Sequence, residues 1–428
     1  MTAPLKIAIA GLGTVGGGVA NVLLTRGGEL AQRAGRPLEL VSVSARDKGK
    51  TRAADISKIH WQSDAVALAK SDCDVVVELI GGEDGAAYDL VKGALGAKKH
   101  VVTANKALLA YRGAELAELA EKQHVALKFE AAAAGGIPIV KALRESLIAY
   151  GIDAVRGILN GTCNYILTQM EATGKPFADV LKEAQRLGYA EADPELDVGG
   201  GDTAHKLAVL SGLAFGAKPN LASMKIEGIA HITPDDIRFA REFGCRIKLL
   251  GVARRAGERI DQRVEPTMVK LGTPLADVEG PFNAVVAQAG AAGPFFFEGR
   301  GAGEAPTAGA VVADLVDIAR GSLGAPFGRP AADLVGNDGP LGPRASAFYL
   351  RFEVLDVPGV LAEIARHLAQ AEVSIESMIQ RGRSPGEPVA IVMITHECLE
   401  TSVVRALKAI EGSDKIVAKP CMIPMESR

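Results

Sequence analysis

The densest chemistry in the chain lies in one run: Leu187-Gly188-Tyr189-Ala190-Glu191-Ala192-Asp193-Pro194-Glu195-Leu196-Asp197-Val198-Gly199-Gly200-Gly201-Asp202-Thr203-Ala204-His205-Lys206. Four carboxylates (Glu191, Asp193, Glu195, Asp197) precede an Asp202/Lys206 pair. Residues four apart share one face of a helix. The apolar run Leu207, Ala208, Val209, Leu210 would anchor that helix in a core. An ammonium and a carboxylate therefore stand together at a helix start, beside an acidic loop. Gly199-Gly200-Gly201 would let the loop close. This arrangement suits a small, amine-bearing substrate whose oxygen needs a proton donor. Asp202 would favour the charged form of Lys206 and orient it. The bland alternative is a structural ion pair worth about 0.3–0.5 kcal/mol on an exposed helix.

Bulk composition narrows the classes. The chain has 428 residues, enough for two or three domains. A net charge of −3 and 4% aromatic residues give no footing for nucleic-acid binding or an anionic membrane surface. No apolar run approaches the ~20 residues of a membrane span. The first residues run almost directly into a strand pattern, which leaves no room for a signal peptide. The five cysteines (Cys73, Cys163, Cys245, Cys398, Cys421) show no CxxC spacing, so a reducing cytoplasm is expected and zinc is not.

Elements that could position a cofactor come first in the chain. Leu5 to Ala10 reads as a buried strand and runs into Gly11-Leu12-Gly13-Thr14-Val15-Gly16, followed by a helix through Val19, Val22 and Leu23. Strand, glycine turn and helix in this order form a dinucleotide-binding signature. Gly11 permits the turn, Gly13 lets the backbone approach a pyrophosphate, and Gly16 lets helix pack on strand. The helix start then supplies amide donors and a positive dipole end. The second strand (Leu38 to Val43) ends in Ser44-Ala45-Arg46 rather than in an acid. A guanidinium matches a 2′-phosphate, so NADP is expected, with NAD as the alternative. A further strand, His100 to Thr103, ends in Ala104-Asn105-Lys106. That puts Thr103 and Lys106 on the ligand-binding edge of a doubly wound sheet. Together with the Asp202/Lys206 pair, this points to a dehydrogenase.

The middle of the chain adds weaker signals. A strand over Val125 to Glu130 gives way to small residues through Gly135, Gly136, Ile137 and Pro138. Unobstructed carbonyls there, with Glu130, could cage a hard cation, and a plain interdomain crossover is the alternative. A strand from Gly151 to Leu159 leads into Asn160-Gly161-Thr162-Cys163-Asn164-Tyr165, where Thr162 and Asn164 could face a substrate. Cys163 reads as packing rather than nucleophile.

Taken together, Gly11 to Gly16, Thr103 to Lys106, Asn160 to Tyr165, Gly188 to Lys206 and Gly299-Arg300-Gly301-Ala302-Gly303-Glu304-Ala305-Pro306-Thr307 closely resemble homoserine dehydrogenase. The match covers about the first three quarters of the chain. It implies reversible, nicotinamide-dependent interconversion of L-aspartate 4-semialdehyde and L-homoserine, on the route to threonine, methionine and isoleucine. By resemblance, Lys206 is the proton donor and Lys106 the second active-site lysine. Glu191 binds the substrate amino group, and Asp197 and Asp202 are polar positions around it. Glu130, Ala133, Gly135 and Ile137 match a monovalent-cation site, Na+ being expected, and Gly303 matches a cofactor contact.

The expected architecture is α/β with three parts. Residues 1–134 form a Rossmann domain, rejoined by segment 300–320, whose helix is placed over Ala308 to Arg320. Residues 135–299 form an α+β catalytic and dimerisation domain. Residues 321–345, rich in Gly, Pro and Ala, read as a linker. Residues 346–428 follow a ferredoxin-like βαββαβ order, and their Asp356-Val357-Pro358-Gly359-Val360-Leu361 turn resembles the ACT domain, a small-molecule regulatory module. Asp356, Gly359 and Val360 are the regulatory candidates and L-threonine the candidate effector; the alternative is a dimerising domain without ligand. A homodimer or homotetramer is expected. The competing functional reading is a nucleotide- and amino-acid-sensing protein without turnover.

Overall fold

The computed structural model describes residues 2–257, 259–337, 342, 344–381 and 388–426. Residues 338–341 and 343 of the expected linker, and 382–387, 427 and 428 of the expected C-terminal module, lie outside them.

Six parallel strands build the first sheet: β1 (Leu5–Ala10), β2 (Leu38–Ser44), β3 (His60–Trp61), β4 (Val75–Glu78), β5 (His100–Thr103) and β6 (Leu127–Lys128). Their near-continuous apolar runs require burial on both faces. Ile7, Ile9, Val75 and Val77 enter one core, and Ala8, Ala10, Val76 and Val101 the other. Helices α1 (Thr14–Thr25), α2 (Gly27–Ala34), α3 (Ala86–Gly96) and α4 (Lys106–Lys122) cover the sheet. In the order β3-β2-β1-β4-β5-β6 the direction of growth reverses between β1 and β4. That reversal opens a crevice at the carboxyl ends of the strands. The strand expected over Val125 to Glu130 pairs only at Leu127 and Lys128. The chain turns away because the Glu130 amide donates to the Asp314 carboxylate at 2.8 Å instead of to a neighbouring strand.

The next part of the chain comprises a single turn α5 (Ile139–Lys141), strand β7 (Ala154–Ile158), helices α6 (Gly161–Thr173), α7 (Phe177–Arg186), α8 (Glu195–Val198) and α9 (Gly201–Phe215), the short strand β8 (Lys225–Ile226) and helix α10 (Pro234–Glu242). Strands β9 (Cys245–Ala256) and β10 (Arg259–Lys270), a turn α11 (Pro274–Asp277), and strands β11 (Phe282–Ala289) and β12 (Gly293–Arg300) complete it. The sheet order is β12-β11-β7-β9-β10-β8. Helix α9 lies against this sheet with Leu207, Ala208, Val209 and Leu210 fully buried. Each such leucine contributes roughly 1.5–3 kcal/mol, so Asp202 and Lys206 stand on a rigid mount.

Helix α12 (Glu304–Ala319) then returns to the first sheet, where Val311, Val312, Leu315 and Ile318 join the core of Ile7 and Ile9. It starts earlier than Ala308. Gly303 caps it at φ +116°, and Pro306 falls in the first turn, where a missing N–H costs nothing. The C-terminal module contains β13 (Ala345–Ser346), β14 (Phe348–Leu355), α13 (Val360–Gln370), β15 (Ile375–Gln380), β16 (Pro388–Thr395), β17 (Cys398–Leu399), α14 (Glu400–Ile410) and β18 (Cys421–Pro424). Its antiparallel sheet, β15-β16-β14-β18, and helices α13 and α14 enclose a core of their own.

The stretch read as a linker is not a free tether. Phe327 is buried, its ring 5.3 Å from that of Phe129. The Ala331 amide donates to Glu121 of α4 at 2.9 Å, and Val335 bridges to Ala217. Gly and Pro there shape a packed crossing, and one aromatic residue anchors it. Phe327→Ala should therefore cost about 3–5 kcal/mol, read as a shift in the urea midpoint at constant slope. A loss below about 0.5 kcal/mol would mean that the segment is loose.

Candidate active site

The glycine turn after β1 is closed on one side and open on the other. Gly11 sits at φ +95°, and a side chain there would run into the Leu79 carbonyl. A side chain on Gly16 would overlap the Gly11 carbonyl. A Cβ on Gly13 would meet nothing within 4 Å, so that side of the backbone is open where α1 begins. Gly13 caps α1 without a side-chain hydrogen bond. Unfilled amides and a positive dipole end therefore face the crevice. Arg46 lies exposed just past the end of β2 and, among the described residues, has no ion-pair partner.

Opposite the turn, the buried Glu78 carboxylate organises the edge. It accepts the amides of Ile80 (2.8 Å) and Gly81 (3.0 Å) and the Thr103 hydroxyl (2.6 Å). Thr103 in turn accepts the Asn105 amide, and Asn105 caps α4. Lys106 is thereby fixed as the first residue of α4. A cation at that end opposes the helix dipole by roughly 0.3–1 kcal/mol, so its position needs an external partner.

That partner is Asp202. Its carboxylate lies 3.1 Å from Lys106 Nζ and 2.7 Å from Lys206 Nζ. The Asn160 amide donates to Asp202 and to Asp197, at 2.8 Å each. Lys206 Nζ also donates to the Leu159 carbonyl at 2.7 Å, and Asn283 donates to that same carbonyl at 2.9 Å. Burial alone would raise the Asp202 carboxyl, but Lys206 and Lys106 outweigh it and hold it well below the usual carboxylate range. Burial raises Asp197, and the neighbouring Asp202 charge adds to the shift. His205 is buried edge-on to Tyr111, and burial followed by Lys106 lowers its pKa.

The structure thus brings Lys106, Lys206, Asp202 and Asp197 together. Other candidates stand apart. Glu191 is exposed, and among the described residues its carboxylate has no partner. The Thr162 hydroxyl donates to the Tyr189 carbonyl at 2.7 Å, tying α6 to the acidic loop. Asn164 does not face a substrate: it is buried, donates to the Gly280 carbonyl at 3.0 Å and accepts from Lys248. Cys163 is fully buried with its Sγ 3.2 Å from the Asp197 carbonyl, and burial raises its thiol far above its ordinary value, in keeping with a packing role. Asn160 has the role that the spacing did not single out; its type and position in a polar turn were the only available signal.

Around Glu130 the chain makes a buried turn, with Ala134 at φ +56° and Gly135 at φ +49°. The Glu130 carboxylate accepts the amides of Val140 and Lys141 at 3.0 and 2.8 Å. Burial, with Asp314 beside it, raises it to about 7. The Gly136 amide donates to the Arg300 carbonyl, which joins this turn to the Gly301–Gly303 turn ahead of α12. Among the described residues no three His, Cys, Asp or Glu side chains gather as metal ligands, and no helix is long and apolar enough to cross a membrane. In the C-terminal module Gly359, at φ +93°, caps α13, and Val360 is its buried first residue.

Comparison with known proteins decides the family. The homoserine dehydrogenase model matches residues 138–316, the NAD-binding domain of homoserine dehydrogenase matches 11–130, and an ACT domain matches 348–413. The homoserine dehydrogenase of Neisseria gonorrhoeae is 45% identical over 431 residues, 99% of each chain. The chain belongs to the homoserine dehydrogenase family. A crystal structure of a homoserine dehydrogenase from Thiobacillus denitrificans superposes with a TM-score of 0.92 at 42% identity, over 99% of each chain. A hyperthermophilic archaeal homoserine dehydrogenase in complex with NADPH superposes with a TM-score of 0.62 at 25% identity, over 74% of this chain and 97% of that one. Homoserine dehydrogenases are NAD(P)-dependent oxidoreductases. Nothing favours the alternative of a sensor without turnover.

Asp202→Asn would leave two ammonium groups without their shared counter-charge, which should cost about 3–5 kcal/mol at neutral pH. The folded pKa of Asp202 is depressed, so its contribution is complete above the unfolded value of about 3.9 and is lost as pH falls below it. Stability curves of parent and variant should converge between about pH 5 and pH 2. Curves that stay parallel over that range would contradict the pairing.

Proposed function

We propose that Lys206 is the proton donor in the reduction of L-aspartate 4-semialdehyde to L-homoserine, held in place by Asp202. The observation that carries this reading is one buried carboxylate clamping two ammonium groups beside the cofactor crevice. A bound NADPH supplies the hydride to the aldehyde carbon, and negative charge builds on the aldehyde oxygen. Lys206 has three N–H donors. Asp202 and the Leu159 carbonyl take two, and the third is left for that oxygen. The proton moves from Lys206 Nζ to the oxygen while Asp202 stays ionised, and the reverse reaction returns it. Lys106, with two donors beyond Asp202, contacts substrate. Glu191 receives the substrate amino group, with Asp197 and Thr162 around it; the family likeness supports this assignment, and Asn160 ties Asp197 to the cluster.

The cofactor proposed is NADP, with NAD as the alternative. Gly11, Leu12, Gly13, Thr14, Val15 and Gly16 would hold it, with Arg46 at the 2′-phosphate and Thr103, Lys106 and Gly303 nearer the reacting end. The open turn at Gly13, the unpaired Arg46 and the NADPH complex of the archaeal relative support this. A monovalent cation, Na+, would be held by main-chain oxygens of Glu130, Ala133, Gly135 and Ile137. The donor set fits: these residues are buried, and the Glu130 side chain is already spent on amides. The Ile137 carbonyl accepts the Ile139 amide at 2.8 Å and keeps one lone pair for the ion.

The ACT domain supports regulation, and L-threonine is the proposed effector, bound around Asp356, Gly359 and Val360. A homodimer or homotetramer is part of the reading, supported by exposed Ile148 and by exposed Tyr150, which lies against Phe295 of the edge strand β12. Five free cysteines fit a reducing cytoplasm.

The test is NADPH oxidation by the full chain with L-aspartate 4-semialdehyde, repeated with NADH and with L-threonine. Turnover should require the semialdehyde and favour NADPH. Lys206→Ala should lower kcat by about 10²–10⁴-fold with little change in folding. A near-parental rate in that variant would remove Lys206 from the mechanism.

A further inference from the structure

A charge cluster joins the ACT domain to the sheet beneath the active site. Glu400, the first residue of α14, lies 3.0 Å from Lys225, 2.8 Å from Arg263 and 3.2 Å from Arg344. Glu265 pairs with Lys225 at 2.8 Å and with Arg344, and Asp261 pairs with Arg263 at 3.0 Å. Arg254 adds a contact to Asp261 at 3.5 Å and Glu227 one to Lys225 at 3.7 Å, and the inner members Arg263, Arg344, Asp261, Glu265 and Glu400 are largely buried. The cluster is the ordinary means of packing charged groups out of water, because each needs a partner.

What lies on the other side of the same strand gives it a further consequence. Strand β8 has two residues, and successive side chains of a strand point to opposite faces. Lys225 points into the charge cluster. Ile226 points to the glycine loop of the active site. A Cβ on Gly200 would lie 3.1 Å from Val264 and 3.2 Å from Ile226, so the loop is seated on these two side chains. The backbone continues the grip. The Glu227 amide donates to the Val264 carbonyl at 2.7 Å, and the Ile229 amide donates to the Val198 carbonyl at 2.9 Å. Gly228 is pressed so closely on Val198 and Gly199 that any side chain would overlap them. Val198 to Gly200 directly follow Asp197 and lead into Asp202.

We infer that Lys225 and Glu400 are positioning residues for the reaction: the ACT domain, through Glu400, holds β8 in the register that seats the Val198–Gly200 loop and with it Asp197 and Asp202. Neither residue touches substrate. Both act through Ile226, Gly228 and Gly200, over an unbroken series of contacts. A change at the start of α14 is thereby delivered to the catalytic carboxylates. The inference rests on the reading that the Asp202 cluster is the catalytic centre.

The test combines hydrogen exchange with steady-state kinetics on the full chain, for Lys225→Met, Glu400→Gln, Glu400→Asp and the Lys225→Met/Glu400→Gln double variant. In Lys225→Met and Glu400→Gln the amides of residues 198–200 and 227–229 should exchange at least threefold faster, while those of β1 stay at the parental rate. KM for L-homoserine should rise about threefold or more in the same two variants. Glu400→Asp should recover most of the loss. The double variant, which removes one charge of each sign, should be no worse than Lys225→Met alone. Faster exchange confined to residues 388–426, or parental protection of 198–200 in both single variants, would overturn the inference. The exchange readout does not depend on turnover. If Lys206→Ala kept its rate while the loop still loosened, the catalytic reading would fail and the mechanical link would stand.

Discussion

The structure around the site depends on one constraint: the Asp202 carboxylate is buried and has to be neutralised from two directions. An unpaired carboxylate in that position would be expelled or protonated. Lys206 comes from the same helix, one turn on. Lys106 comes from the first turn of α4, on the other side of the crevice. Neutralisation therefore cannot be local. It requires the nucleotide-binding sheet and the second sheet to meet at a fixed distance, and that distance is also what a hydride transfer demands.

Each lysine accepts a local penalty for this. Lys106 sits at the positive end of a helix, and the Glu78–Thr103–Asn105 series of hydrogen bonds fixes it there. Lys206 is nearly buried, with its Nζ held between Asp202 and a carbonyl. Asn160 keeps two neighbouring carboxylates from separating by bonding both. The site is stiff because α9 is set into the core along most of its length. One margin, the Val198–Gly200 loop, is held instead by close backbone contacts with residues 227–229, which follow the Lys225 that pairs with Glu400 of the ACT domain.

Much of this architecture is legible in the residue order. The apolar run and glycine turn at Leu5 to Gly16 specify a strand, a turn and a helix through local chemistry alone. The Asp202/Lys206 pair and the run after it specify a helix mounted in a core. What stays hidden is whatever depends on distant partners. Nothing in the spacing of Lys106 says that its partner is Asp202 in another part of the chain. Thr162, Asn164 and Asn160 are alike as polar turn residues, and only packing shows that Asn164 serves Lys248 and the Gly280 carbonyl while Asn160 serves the carboxylates. The Gly- and Pro-rich segment after Gly321 reads as loose by composition, and a single aromatic ring reverses that.

The central claim is that the ammonium group beside Asp202 gives its proton to the substrate oxygen, rather than merely adding positive charge. Chemical rescue of Lys206→Ala tests it most directly. Turnover of the semialdehyde is measured while methylammonium or tetramethylammonium is added to the variant. The account predicts saturable recovery with methylammonium, which carries N–H donors, and none with tetramethylammonium, which carries charge alone. Equal recovery with both cations would show that Lys206 acts only as a charge and would contradict the proposed proton transfer.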